Sequence, residues 1–165
     1  RDRLGGEMSS SSPSSCDSPP LLSLRYAIAL MGCTLSPKHS HLEDRCYRLA
    51  RAYAEACESD GQVETHLTDI NLFQSLLLLA RYESCSSRSP LRAWMTIGRL
   101  SRLSRILGLQ RIDRGGEDAA PSSVLASRTP PLDAVALEER RRCFWAFYMV
   151  CYAQAPCLCT MPWLR

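Results

Sequence analysis

The chain has 165 residues, of which 45% are hydrophobic, so it is long enough for one domain with a core and too short for two. Charged residues make up 22%, and Lys and Arg exceed Asp and Glu by only 20 to 17, so charge alone indicates neither a nucleic-acid nor a membrane partner. No signal-peptide pattern opens the chain, and no apolar run approaches the roughly 18 residues of a membrane span, so we expect a soluble protein.

The cysteine pattern favours free thiols over a disulfide framework. There are nine cysteines, an odd number, and several stand singly among apolar or helical residues: Cys46, Cys57, Cys85, Cys143 and Cys151. Cysteines of this kind pack as small hydrophobic residues in a reducing compartment. We therefore expect an intracellular protein.

Residues 1–20 are rich in Ser and Pro and are predicted to form a disordered linker. Ser18, followed by two prolines, is typical of a helix start, because proline fits the first turn. The apolar segment from Leu21 to Met31 is predicted to be the first helix, ended by Gly32.

A second helix is predicted from Ser40, which can form a capping box with Glu43. Its apolar face is predicted to comprise Leu42, Cys46, Leu49, Tyr53 and Cys57. Its polar face is predicted to comprise Glu43, Asp44, Arg48, Arg51, Glu55 and Glu58. The helix is expected to end at Ser59-Asp60-Gly61.

Thr68 or Asp69 can cap a third helix, which is apolar all round from Leu76 to Ala80 and is therefore predicted to be buried. After a turn from Ser84 to Pro90, a fourth helix is predicted from Leu91 to Leu107, closed by Gly108. Its apolar face is predicted to hold Ile97, Leu100, Leu103 and Leu107. The opposite face is predicted to hold Arg99, Arg102 and Arg105. We expect these arginines to form a solvated row rather than to bind the phosphates of a nucleic acid.

Residues 113–131 are predicted to be a polar loop, followed by a fifth helix from Asp133 through Val150 in which Glu138 pairs with Arg142. No segment alternates as a strand does. The predicted fold is all-α, with antiparallel helix pairs in an irregular array over residues 21–152 and an atypical tail over 153–165.

Two strings carry a family resemblance. Ala93-Trp94 with Gly98, Arg102 and Leu107-Gly108-Leu109-Gln110-Arg111 resembles one conserved helix and its end, and Glu139 to Met149 resembles an E-R-R-R-x-F-W signature. Together they resemble the fungal-specific transcription factor domain, the regulatory middle region of fungal zinc binuclear cluster transcription factors, over about residues 40–150. The signature residues are Trp94, Gly98, Arg102, Gly108, Arg140, Arg141, Arg142, Phe144 and Trp145.

Departures from the family pattern indicate a fragment of an incomplete domain. The stretch Val150 to Pro156 lacks the aspartate that usually follows the Phe-Trp pair, and the second half of the domain is not recognisable. The six closely spaced cysteines of the family's zinc cluster are also absent.

The resemblance implies a regulatory region of a nuclear transcription factor that controls transcription by RNA polymerase II. It implies that DNA and zinc are bound only by the missing module, that a small-molecule effector or a coregulator protein is a possible partner, and that no membrane is involved. A structural helical scaffold and a non-functional truncated fragment are the alternatives.

Candidate sites in the chain are few. Trp94, Phe144, Trp145 and Phe147 are candidates for a ligand pocket, with plain core packing as the alternative. Arg140, Arg141 and Arg142 suit pairing with Glu138 or Glu139 better than a nuclear-localisation signal.

No metal site and no catalytic site is predicted. Cys33, His39, His41 and Cys46 match no standard zinc spacing, and Cys157 and Cys159 stand one residue too close for a CxxC knuckle. No enzyme motif is present, and the histidines, His39, His41 and His66, are expected between helices.

Overall fold

The computed structural model describes residues 18–59, 61–85, 90–112 and 132–159, with side chains as far as Tyr152. It contains α1 (Pro19–Leu35), α2 (Glu43–Ser59), α3 (Val63–Thr68), α4 (Ile70–Cys85), α5 (Pro90–Ile106) and α6 (Ala134–Cys159), with 3₁₀ turns at Pro37–Leu42 and Leu109–Arg111. No strand occurs within these ranges, which confirms the all-α prediction. The antiparallel pairing of the helices stays a prediction.

Several sequence predictions fall on residues that lie outside the described ranges. These are the linker over residues 1–17, the break at Asp60, the centre of the turn before Pro90, the loop over 113–131 and the end of the tail. The start of the predicted tail belongs to α6, which runs to Cys159.

Three predicted helix starts are confirmed. Ser18 is the extended N-cap residue of α1, with proline in the first turn, and its carbonyl accepts a hydrogen bond from the Leu22 N–H at 3.0 Å. A carboxylate oxygen of Asp69 accepts from the Asn71 N–H at 2.9 Å, and one of Asp133 accepts from the Ala136 N–H at 2.7 Å. The side chains of Asp69 and Asp133 thus bind backbone N–H groups that have no partner within the first turn of a helix.

The two glycines predicted to end helices behave differently. Gly108 follows α5 with φ of 66°, the left-handed conformation that favours glycine, which confirms that prediction. The prediction for Gly32 is wrong, because α1 continues to Leu35 and buries Cys33 beyond the glycine. The helix ends instead where Ser36 takes an extended backbone before Pro37, since proline disfavours a helical residue ahead of it.

The predicted capping box at Ser40 is also wrong. Residues Pro37–Leu42 form a 3₁₀ turn, and the Ser40 hydroxyl donates backwards to the Pro37 carbonyl at 3.0 Å. The Glu43 carboxylate accepts a hydrogen bond from the Tyr82 hydroxyl at 2.6 Å. Glu43 therefore joins α2 to α4 and does not cap its own helix.

The buried face of α2 is rotated from the predicted one. Ala50, Ala54 and Cys57 are fully buried, whereas the predicted Leu42, Leu49 and Tyr53 are only half-buried. The small alanine side chains let α1 approach closely. Ala50 also offers its carbonyl to the buried Ser23 hydroxyl of α1 at 2.9 Å.

Helix α4 forms the centre of the core and contacts α1, α2, α5 and α6. In the predicted run from Leu76 to Ala80, all residues are buried except Leu78, which is half-buried, so the prediction holds for most of the run. Leu72 and Phe73, earlier in the helix, are also fully buried. From α6, Phe147 packs edge-on against Phe73, with ring centroids 5.9 Å apart. Burial of such aromatic and aliphatic side chains stabilises each by about 1.5–3 kcal/mol.

Helix α5 places Leu100 and Leu103 in the core, as predicted. Ile97 is half-buried, and so is Leu107, which lies just past the end of the helix. Arg102 and Arg105 are exposed, which agrees with the predicted solvated row. Arg99 does not belong to that row, because its side chain is only 15% exposed and lies against α2.

Candidate functional site

A buried carboxylate connects α2, α4 and α5. Glu83 of α4 is 3% exposed, and its two oxygens accept hydrogen bonds from the hydroxyls of Tyr47 and Thr96, each at 2.7 Å. The guanidinium of Arg51 lies 3.7 Å from the same carboxylate. Two donors and a cation replace the water that Glu83 loses on burial.

Further arginines surround this buried network. Arg51 also donates to the Thr96 hydroxyl oxygen at 3.2 Å and forms an ion pair with Glu55 at 3.6 Å. Arg92 of α5 donates to the Tyr47 hydroxyl oxygen at 3.2 Å. Burial raises the pKa of Tyr47, and the hydrogen bond from Arg92 opposes that rise. The network therefore fixes the relative positions of three helices through polar side chains.

A cleft of about 340 Å³ opens beside the network, and we call it the arginine cleft. It is lined by Arg51, Glu58, Leu67, Met95, Thr96, Arg99, Arg102, Leu103 and Ile106. Arg99 donates to the Ala54 carbonyl at 2.7 Å, and its Nε lies 2.8 Å from an oxygen of Glu58. Burial lowers the pKa of Arg99, and the nearby Glu58 carboxylate opposes that effect.

Two donors of the arginine cleft lack a hydrogen bond. The Nε atoms of Arg51 and Arg99 are buried and have no hydrogen-bond partner in the described parts of the chain. For Arg99 the Glu58 oxygen is close but lies off the N–H direction, so the contact is an ion pair without a hydrogen bond. Buried donors without a partner are uncommon in native proteins, so the Nε groups of Arg51 and Arg99 are candidates for contact with a ligand.

The structure brings two of the four aromatic ligand-pocket candidates together. Trp94 and Phe147 line a cleft of about 400 Å³ between α5 and α6, with Gly98 and Arg102 also in its wall. Phe144 instead packs against the core, and Trp145 is 58% exposed and contacts Tyr148 edge-on. Ligand binding by any of the four stays a prediction.

Two of the three arginines of the α6 triplet, Arg141 and Arg142, pair with Glu138 within their own helix, as expected. Arg141 and Arg142 both bind the carboxylate of Glu138, the latter at 2.9 Å, and these hydrogen bonds lower the pKa of Glu138. Arg140 is half-buried, and burial lowers its pKa, with Glu139 opposing.

The described cysteines are free thiols: Cys33, Cys46, Cys57, Cys85, Cys143 and Cys151. Burial raises the pKa of Cys57 to about 11, and burial with the neighbouring Cys33 thiol raises that of Cys46. The side chains of Cys157 and Cys159 lie outside the described residues.

Two histidines, His39 and His41, lie in the 3₁₀ turn between α1 and α2, as expected, whereas the expectation is wrong for His66, which lies within α3. His39 contacts the Ser36 hydroxyl at 3.1 Å, His41 is exposed, and His66 is buried in α3. Over the ranges with described side chains, no group of three or more His, Cys, Asp or Glu residues is placed to hold a metal ion.

The buried network was not found from the sequence. Tyr47, Glu83 and Thr96 are separated by 36 and 13 positions along the chain, so no local motif connects them. One signal was available, because Glu83 continues an apolar helix and a carboxylate in that position needs partners.

Comparison with known proteins identifies the family. The profile of the fungal specific transcription factor domain matches residues 5–150. The comparison with solved structures found no match. Among the described helices, none is both long and apolar enough to cross a membrane.

Curated relatives include depudecin biosynthesis cluster-specific transcription activators from Fusarium langsethiae and Alternaria brassicicola, 40% and 38% identical over 91% of this chain. A pigment biosynthesis transcriptional activator from Monascus ruber is 32% identical over 76% of the chain. The chain spans only 23% of the length of the first two relatives, so it corresponds to one region of a longer kind of protein. These relatives are named as transcription factors and not as enzymes, and the chain belongs to the fungal specific transcription factor domain family.

Proposed function

We propose that this region is the regulatory body of a nuclear fungal transcription factor and that it makes no contact with DNA bases itself. DNA binding and zinc belong to a module outside the 165 residues, and the whole protein activates transcription of one biosynthetic gene cluster by RNA polymerase II. The region performs no catalysis. The observation that carries this proposal is the 40% identity to a cluster-specific transcription activator across 91% of the chain.

The arrangement of the helices supports a regulatory role. A polar network joins α2, α4 and α5 through Glu83, and two clefts lie along α5, one on the side of α2 and one on the side of α6. A ligand or a coregulator protein that binds one packing of α5 better than another shifts the balance between them by its differential affinity. A structural scaffold with a single packing of α5 would not respond to a ligand or a coregulator.

A reporter experiment tests the regulatory role. The chain is inserted between a heterologous DNA-binding module and an activation segment in a fungal host, and reporter output is compared with that of a flexible linker of equal length. If the chain is a regulatory region, it should change the reporter output severalfold relative to the linker, because it restrains or exposes the activation segment. The same output with the chain and with the linker would overturn the proposal.

A core variant serves as the matched control. Leu76→Asp buries a charge at a fully buried position and is expected to unfold the region. Its reporter output should return to the level of the flexible linker. If Leu76→Asp retained the full effect of the native chain, the effect would not depend on the fold.

A further inference from the structure

The charged part of the lining of the arginine cleft is mainly cationic. It contains Arg51, Arg99 and Arg102 against a single carboxylate, that of Glu58. Glu58 is 51% exposed, so solvent weakens its attraction for Arg99. Arg51 is shared between two carboxylates outside the lining: Glu55 at 3.6 Å, which is 63% exposed, and Glu83 at 3.7 Å, which already accepts hydrogen bonds from Tyr47 and Thr96. Each of the two less exposed arginines of the lining thus has a carboxylate partner that is more than half exposed, and Arg102 adds a third guanidinium group.

Two arginines of this lining each carry a buried donor without a hydrogen bond. The Nε groups of Arg51 and Arg99 are buried without a hydrogen-bond partner in the described residues. Removing a polar group from water without providing a partner is unfavourable. A guanidinium matches the two oxygens of a carboxylate or the oxygens of a phosphate through paired N–H groups. An oxyanion is the ligand chemistry that these donors fit.

The rest of the lining is apolar. Leu67, Met95, Leu103 and Ile106 complete the wall. The volume of about 340 Å³ lies at the lower end of the range of small-molecule sites, about 300–1,000 Å³. A ligand that satisfies both ends carries an oxyanion on a compact apolar body.

We propose that the arginine cleft binds a small organic anion, with its carboxylate or phosphate on Arg51 and Arg99 and its apolar part against Met95, Leu103 and Ile106. This names the effector class of the regulatory region and rests on the function proposed above. Binding draws Arg51 from Glu83 and Arg99 from Glu58, and both ion pairs join α2 to another helix. The anion thereby changes how firmly α5 and α4 are held to α2.

Calorimetric titration of the 165-residue chain with three probes of the same tail length tests the chemistry. Octanoate and octyl phosphate carry the oxyanion, and octanamide replaces it with a neutral group. At least one of the two anions should bind about tenfold more tightly than octanamide, as expected for hydrogen bonds to charged groups. Equal affinity of all three probes, or binding of none, would overturn the proposal.

Arginine variants locate the site. Arg99→Met should weaken binding of the anion about tenfold, whereas Arg105→Met, at an exposed position on the same helix outside the cleft, should leave it unchanged. An equal effect of the two substitutions would reject the arginine cleft as the site.

A measurement on the unmodified chain covers the case in which Arg99→Met does not fold. In the ¹H–¹⁵N spectrum, the Nε–Hε signals of Arg51 and Arg99 should shift on addition of the tighter-binding anion, and that of Arg105 should not. Stationary Arg51 and Arg99 signals at saturating anion would contradict the proposal. The reporter assay measures the regulatory role independently. If the region changes reporter output but binds none of these anions, the anion proposal is wrong and the proposed regulatory function stands.

Discussion

A carboxylate that is 3% exposed needs hydrogen-bond donors and a cation in place of the water that it loses on burial. Glu83 meets that condition with one contribution from α2 through Tyr47, one from α5 through Thr96, and a cation in Arg51. Arg51 in turn is 19% exposed and has a second carboxylate partner, Glu55, whose side chain is 63% exposed. The same arginine thus has one buried partner and one exposed partner, which allows their contributions to be compared directly.

Glu83→Gln is expected to lower the free energy of unfolding by about 2–3 kcal/mol, because it leaves Arg51 near an uncharged amide in a buried site. Glu55→Gln removes the exposed partner and should lower it by less than about 0.5 kcal/mol. Urea unfolding followed by circular dichroism measures both. Equal losses for the two variants would mean that the buried network contributes no more than a surface ion pair.

Cys57 should make the stability of the chain depend on pH in the alkaline range. Its thiol is fully buried and donates to the Tyr53 carbonyl, and burial raises its pKa from 9.0 to about 11. Below pH 9.0 the thiol is neutral in both the folded and the unfolded chain, so its contribution to stability is fully present. Between 9.0 and about 11 the unfolded chain ionises first, and that contribution is lost as the pH rises.

The comparison of the native chain with Cys57→Ala under reducing conditions checks this dependence. The native chain should lose more stability than Cys57→Ala between about pH 8 and about pH 10.5. Any loss of packing in the variant is constant over that range and does not affect the difference. Cys85→Ala, at an exposed position, is the control and should follow the native chain. Parallel curves for native chain and Cys57→Ala would contradict the assignment.

At the scale of the helices, the two glycines Gly32 and Gly108 predict opposite effects of one substitution. A Cβ at either position would meet nothing within 4 Å, so only backbone conformation differs between them. Gly32→Ala lies in a helical turn and should stabilise by about 0.5–1 kcal/mol. Gly108→Ala must adopt φ of 66° and should destabilise by about 1–2 kcal/mol. Thermal unfolding of the two variants measures both signs, and a shift in the same direction would refute the conformational argument.

Helix ends could be predicted from the sequence more reliably than helix faces. Helix ends marked by Ser18, Asp69, Asp133 and Gly108 were predicted correctly, because capping depends on neighbours within three residues. The buried face of α2 was not predicted correctly, since Ala50 and Ala54 carry little weight in a hydrophobic pattern although both are fully buried.

The arginine cleft could not be predicted for a related reason. The helical pattern of α5 predicts that Arg99 faces solvent. In the structure the side chain of Arg99 lies against Ala54 and Glu58 of α2, which stand more than forty positions earlier in the chain. Long arginine side chains bury their stems and carry the charge to a distant partner, so their helix face does not fix their surroundings.

At the scale of the whole molecule, α6 contacts the core along one side and exposes apolar side chains along another. Trp145, Tyr148, Met149 and Tyr152 are all more than half exposed and follow the spacing of a single helix face. Trp145 and Tyr148 also contact each other, with ring centroids 6.0 Å apart. A contiguous apolar face of this kind is unusual on a soluble monomer and should bind hydrophobic dyes.

The double substitution Met149→Glu with Tyr152→Glu should therefore reduce the fluorescence of a hydrophobic dye bound to the folded chain. It should change the free energy of unfolding by no more than about 0.5 kcal/mol per site, because neither side chain is buried. Leu35→Glu, which alters an exposed apolar residue of α1 rather than of α6, is the control and should leave dye binding unchanged. Undiminished dye fluorescence in the double variant would place the dye elsewhere. A large loss of stability instead would mean that this face of α6 contributes to the core, contrary to its exposure.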